Sequence, residues 1–219
     1  FLQLPYQSYK KLVEKAKYII YEHDHKYVRN RNPAEYPDYQ VPRSDIVHYE
    51  LYKNAAAVLC QSDFHADIVR KNLGLETIKS LGGNLWSPES LSLMKDLSSQ
   101  EKVDTCAIMQ TDNWHKNTVG AVRYCRMKQL KYELIAPCDY HEFLQRLGSY
   151  KRIVFFPQTP ETLSRIAVEA RMMGMTVITN QNVGATKEKW FGLKGTELIE
   201  VMHQKREEIP QIVKGILNG

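Results

Sequence analysis

The sequence predicts an α/β protein built on parallel sheets, and three observations carry that reading. Short apolar runs recur at residues 18–21, 55–60, 105–109, 132–136, 153–156 and 177–180, as strands buried on both faces require. Stretches of helical spacing alternate with them, the rhythm of right-handed strand–helix–strand crossovers. The third observation is one complete unit of this kind, running from Ile153 to Ile178.

In that unit Ile153-Val154-Phe155-Phe156 reads as the first strand. Thr159 offers an N-cap hydroxyl and Pro160 a first helical position, so a helix is expected to begin close to Glu161. Ile166, Ala167, Ala170 and Met173 continue at helical spacing, and Gly174 closes the helix before the strand at Val177. The loop before the helix presents a helix N-terminus, which favours anions. On one helix Glu161 and Glu169 would stand about 12 Å apart along the axis, suited to two ends of an extended ligand. Taken alone, two such glutamates also fit a solvated helix face.

The frame P-x-x-x-E-x7-E-A-x-x-x-G-x-x-V, from Pro157 to Val177, resembles the E-x7-E motif of retaining glycosyltransferases of the GT-B fold, family 4 in particular. The resemblance implies two Rossmann-like lobes, the first reduced or truncated here. It places an acceptor-side lobe and linker at 1–98 and a nucleotide-sugar-binding domain with a tail helix at 99–219. It gives Glu161 the donor-sugar hydroxyls, Glu169 the ribose, and the helix start, through Leu163, Ser164 and Arg165, the diphosphate. Leu163-Ser164 stand where the family has phenylalanine-glycine, which restricts close backbone approach to a phosphate. No glycine-rich first βα turn occurs before residue 80, and the chain opens on Phe1, so an absent N-terminal portion is expected.

In the first half, residues 8–17 read as a short basic helix and 18–21 as a strand ending in Glu22-His23-Asp24-His25. Ligands of α/β sheets bind beyond the carboxyl ends of strands. His23 and Asp24 resemble the family's His-Asp pair, whose histidine reaches toward the donor. A metal site at His23, Asp24 and His25 is disfavoured, because alternate residues of an extended chain point to opposite faces. Residues 29–45 carry three prolines and read as a surface loop, in which Arg29, Arg31 and Arg43 could meet a phosphate or help form an acceptor site. A helix is expected at 46–53, a strand at 55–60, and a helix through Asn72 with Ser62 as N-cap. The serine- and charge-rich 87–101 reads as an interdomain linker.

In the second half, strands at 105–109 and 132–136 alternate with helices at 116–127 and 140–147. Lys116 matches the lysine of the family's G-R-x4-K-G pattern, although Gln110-Thr111 replace its glycine and arginine. Such a cation offsets charge on a departing diphosphate. Gly184 opens a loop resembling the family's G-G-x-x-E, with Ala185 for the second glycine and Glu188 at its end. Tyr140, beside Pro137 and Cys138, is the candidate for the base pocket. The tail, 196–217, is expected to be helical, broken or kinked at Pro210, and to cross back over the cleft.

The 219 residues, 43% hydrophobic and 25% charged, describe a globular protein. No apolar run approaches a membrane span and no signal peptide is visible. The net charge of +5 suits an anionic donor or docking on an anionic membrane surface, and no aromatic-basic interleaving points to nucleic acid. Cys60, Cys106, Cys125 and Cys138 lack metal or redox spacing and read as reduced thiols of a cytoplasmic protein. The expected activity is transfer of a hexose-type sugar from a nucleoside-diphosphate sugar to a glycan, lipid or small-molecule acceptor, with retention and without metal or other cofactor. Catalytic weight falls on Glu161, His23 and Lys116. A sugar-nucleotide epimerase and a degenerate nucleotide-sugar-binding subunit are the alternatives.

Overall fold

The structure, a computed structural model, describes residues 4–219. In the first lobe α1 (Tyr6–Lys15) leads to β1 (Ile19–Glu22), which pairs in parallel with β2 (Ala57–Cys60), itself paired with β3 (Ile78–Ser80). Between β1 and β2 the proline-rich segment folds into three 3-10 turns, Pro33–Glu35, Pro37–Tyr39 and Arg43–Asp45. The helix expected from residue 46 starts only at α2 (Tyr49–Lys53), because His48 takes a left-handed φ of 57°. Ser62 caps α3 (Asp63–Leu73) as expected, its hydroxyl accepting the His65 N–H at 3.1 Å.

The second sheet is also all parallel. It runs in the order β5 (Tyr132–Ile135), β4 (Val103–Met109), β6 (Tyr150–Phe155), β7 (Thr176–Thr179). The intervening helices are α5 (Thr118–Met127), α6 (Tyr140–Gly148) and α7 (Arg165–Met172). Strand alternation divides the core between the two faces. Ala107, Ile153 and Phe155 pack with α6 and α7, while Cys106, Ile108 and Val154 meet Ala121 and Cys125 of α5.

Two connecting segments differ from expectation. The stretch 87–101 holds a helix, α4 (Pro88–Ser98), with Ser87 capping Ser90 N–H at 3.1 Å and proline in the first turn. Leu91, Met94 and Leu97 repeat at helical spacing and bury in the second lobe's core, so by packing α4 belongs to that lobe, although the sequence sets the boundary after residue 98. The tail is a single helix, α8 (Gly195–Asn218), continuous through Pro210. An interior proline costs about 3 kcal/mol, and packing on both sides of it offsets that. Leu198, Ile199 and Met202 enter the second lobe's core, while Ile209, Val213 and Ile216 cover Ala57, Leu59 and Leu81 on the first sheet. The tail therefore crosses from one lobe to the other and closes the open face of the three-stranded sheet. Among the described residues no helix is long and apolar enough to cross a membrane, and all four cysteines are free thiols.

Candidate functional site

The carboxyl ends of both sheets meet at the seam between the lobes. A cleft of about 450 Å³ opens there, lined by His23, Asp24 and Arg31 from the first lobe and by His115, Lys116 and Glu161 from the second. The 3-10 turn Trp114–Lys116, after β4, delivers Lys116. Its Nζ lies 2.7 Å from Glu161 Oε1.

Glu161 does not begin a helix. α7 starts at Arg165, with Ser164 as its N-cap residue, and the segment before it is irregular, with Glu161 in an isolated parallel bridge to Val183. The Glu161 N–H donates to Asn182 O at 2.7 Å, and its carbonyl accepts the Gly184 N–H at 2.9 Å. Leu163 O accepts the Ala185 N–H at 2.9 Å. Backbone groups that would open a helix at Thr159 are thus committed to the loop after β7. Glu161 and Glu169 therefore lie on different elements, and the 12 Å spacing along one helix does not apply.

His23 follows β1 in a turn that Glu22 organises from below. Glu22 is buried; its Oε1 accepts the Asp24 N–H at 3.2 Å and its Oε2 accepts the Tyr52 hydroxyl. Burial raises the Glu22 carboxyl above its usual range. The His23 ring stacks on Tyr21 at 4.8 Å, and burial, with Lys26 next, lowers its pKa. The Gln61 carboxamide, at the end of β2, bridges His23 Nδ1 and Thr162 Oγ1 at 2.9 Å each. Asp24 lies 3.2 Å from Lys26 and 3.7 Å from Arg31. His25 is buried beneath the turn, its pKa pushed down to about 4 by burial, and its ring meets the buried His65 edge-on at 5.2 Å.

The other end of the motif is closed. Glu169 is 2% exposed, and its Oε1 accepts Trp86 Nε1–H at 3.0 Å and the Tyr140 hydroxyl at 2.7 Å, with Arg165 Nε at 3.4 Å. Burial first, then Glu169, pushes the Tyr140 hydroxyl up to about 12. Arg165 lies 4.7 Å over the Trp86 ring and donates to Leu85 O at 2.8 Å.

The remaining sequence candidates lie at the seam or in the core. The Leu163 side chain is wholly buried in the second lobe's core, which leaves only its backbone to meet a ligand. Ser164 holds φ 72°, and its buried Oγ has no hydrogen-bond partner. Gly184 is buried against the first lobe: a Cβ there would come within 2.5 Å of both Ser62 Oγ and Thr162 O. Its smallness is needed for packing between lobes. Ser62 Oγ donates to Thr162 O at 2.5 Å, Trp190 Nε1 to Gly82 O at 2.8 Å, and Glu188 Oε1 accepts the Asp63 N–H at 2.7 Å.

The structure thus gathers His23, Asp24, Lys116 and Glu161, and holds Glu169, Tyr140 and Arg165 in a separate cluster. Sequence reasoning passed over Gln61, Thr162 and His115. Gln61 stands just beyond the carboxyl end of β2, the position rule that singled out His23, so a signal for it existed. Among the described residues no group of three histidine, cysteine or acidic side chains is placed to hold a metal.

No family model and no curated protein sequence matches the chain. Solved structures do resemble it. A glycosyltransferase from Rickettsia africae aligns over 81% of this chain and 68% of its own, at 16% identity and a TM-score of 0.46. Anabaena HepE, solved in complex with UDP-glucose and again with UDP and glucose, aligns over 94% of this chain at 13% identity and a TM-score of 0.52. The fold is of the GT-B type. The chain spans 66% of the HepE chain. At this identity the likeness concerns architecture alone.

Proposed function

We propose that the chain is a GT-B glycosyltransferase, similar to family 4, that binds a nucleoside-diphosphate sugar between its lobes and transfers the sugar with retention to a glycan, lipid or small-molecule acceptor. The observation that carries this reading is the Lys116–Glu161 pair facing His23 across the cleft. Without ligand the ammonium and carboxylate satisfy each other. An incoming diphosphate would take over Lys116 and release Glu161 to accept hydrogen bonds from sugar hydroxyls. As the leaving group departs, Lys116 and the backbone amides at the start of α7 would stabilise its charge, with no metal required. HepE, with UDP-glucose bound in the same architecture, supports this choice of ligand.

Calorimetry with UDP, GDP and ADP sugars, followed by transfer to an acceptor panel in the presence and absence of a chelator, tests the proposal. One nucleotide sugar should bind and turn over, Lys116→Ala should abolish both, and NMR of the product should show the donor's anomeric configuration. Absence of nucleotide binding would overturn the reading, and loss of turnover on chelation would overturn its metal-free form. The closed Glu169 cluster favours a second reading, a binding subunit without turnover, because a ribose contact at Glu169 would require Trp86 to move. Binding unaccompanied by transfer or epimerisation would select that reading.

A further inference from the structure

The bridge at Gln61 determines which nitrogen of His23 carries a hydrogen. Gln61 is placed with Nε2 2.9 Å from His23 Nδ1 and Oε1 2.9 Å from Thr162 Oγ1, which is also 3.0 Å from the His23 carbonyl oxygen. A hydroxyl has a single hydrogen, and a carbonyl oxygen can only accept. If the Thr162 hydrogen goes to His23 O, then Thr162 Oγ1 must itself accept from Gln61. The amide nitrogen then faces Thr162, the amide oxygen faces His23, and the ring must supply a hydrogen from Nδ1. The orientation as placed sets two acceptor oxygens, Gln61 Oε1 and His23 O, against the single Thr162 hydrogen, so the carboxamide is turned over relative to it. Gln61 and Thr162 are 5% and 9% exposed, and a buried polar contact left unmade costs about 1–3 kcal/mol. The two ends of a carboxamide have nearly the same shape, so hydrogen bonding, not steric fit, chooses between them.

We propose that Gln61 is a positioning residue that holds His23 as its Nδ1–H tautomer, so that the cleft is offered the Nε2 lone pair and accepts a hydrogen bond from a ligand hydroxyl. Burial, joined by Lys26 and Arg165 and opposed in part by Asp24, disfavours the charged ring. A neutral lone pair suits a sugar hydroxyl and disfavours a phosphate oxygen, which falls instead to Lys116. Thr162 adjoins Glu161 while Gln61 belongs to the first lobe, so the tautomer is held only while the lobes stay in contact. The sugar hydroxyl as partner rests on the nucleotide-sugar reading; the tautomer does not.

The test is long-range 1H–15N correlation NMR on unliganded protein labelled at histidine, at a pH well above the His23 titration. His23 should show a protonated Nδ1 and an unprotonated Nε2. A protonated Nε2 in the unaltered protein would overturn the assignment. Gln61→Glu, whose carboxylate can only accept, should keep the Nδ1–H tautomer and shift the His23 titration upward. Gln61→Met should release the ring to a mixture of tautomers, and retention of the original tautomer in that variant would show that Gln61 does not position it. Because no nucleotide is present, these results stand or fall independently of donor binding. If the tautomer holds and no nucleotide sugar binds, the functional reading fails alone.

Discussion

Glu161 and Glu169 belong to one sequence motif and lie in opposite environments. Glu161 sits on an irregular segment whose backbone is held by the loop after β7, and its carboxylate meets the half-buried Lys116 ammonium beside an open cleft. Glu169 sits on α7 with a single oxygen receiving the Trp86 and Tyr140 hydrogens and no open space beside it. The first arrangement can exchange partners with a ligand at little structural expense. The second holds α4's entry and α6's start against α7, so a spacing pattern that equates the two carboxylates hides a division between chemistry and architecture.

Exchanging the two substitutions gives the largest effects. Glu161→Ala should lower transfer by about 100-fold or more, in the range of a lost charge-stabilising contact, with little change in the denaturation midpoint. Glu169→Ala leaves the buried Trp86 indole N–H without an acceptor, and removes that of the partly exposed Tyr140 hydroxyl, and should lower stability by about 1–3 kcal/mol. Urea unfolding and donor calorimetry on both variants decide the matter. If Glu169→Ala unfolds like the parent while donor binding falls, the ribose role holds and the architectural one is lost.

Acid should act on the cleft side of the comparison. His25 lies beneath the turn that carries His23, faced by the Tyr27 hydroxyl and the His65 ring, with Asp24 and Lys26 as the nearest charges. Its folded pKa, about 4, is below the ordinary 6.5. A depressed value means that the unfolded chain takes up a proton first as pH falls, so the contribution is whole above pH 6.5 and is lost toward pH 4. The loss attributable to His25 should approach roughly 3 kcal/mol across that window. Denaturation measured from pH 7 to pH 4 should show the fall, and His25→Gln should flatten it. His65, also pushed down by burial, acts in the same direction. An unchanged slope in the variant would place the acid sensitivity elsewhere.

Much of this architecture is legible in the sequence. Every strand but β3, whose Ile78-Lys79-Ser80 is too short and polar, shows as an apolar run, Ser62 shows as a cap, and the location of His23 and Lys116 follows from strand ends facing a common seam. The start of α7 is not legible, because Thr159 and Pro160 are good helix openers. What overrides them is pairing with residues 182–185, a long-range commitment that local propensity does not register. α4 was legible: Ser87, Pro88 and the spacing of Leu91, Met94 and Leu97 mark a helix, and serine content obscured it. Pro210 stays within α8 for a tertiary reason, since both halves of the helix have cores to enter. The closure of Glu169 depends on Trp86, more than eighty positions away, and no motif spacing contains it.

Ser164, between the two glutamates, gives the smallest and sharpest test of the division. It holds φ 72° with its hydroxyl buried and unpartnered, at the place where the resembling family has glycine. A serine there carries both the strain of a left-handed backbone and an unmade hydrogen bond. Glycine would relieve both, partly offset by the greater freedom it gives the unfolded chain, so Ser164→Gly should stabilise the protein by about 1 kcal/mol. If the hydroxyl is kept for a diphosphate oxygen, the same variant should bind the nucleotide sugar more weakly while unfolding at higher urea. A variant that gains stability and binds at least as well would mark Ser164 as a structural residue of the seam, on the Glu169 side of the comparison.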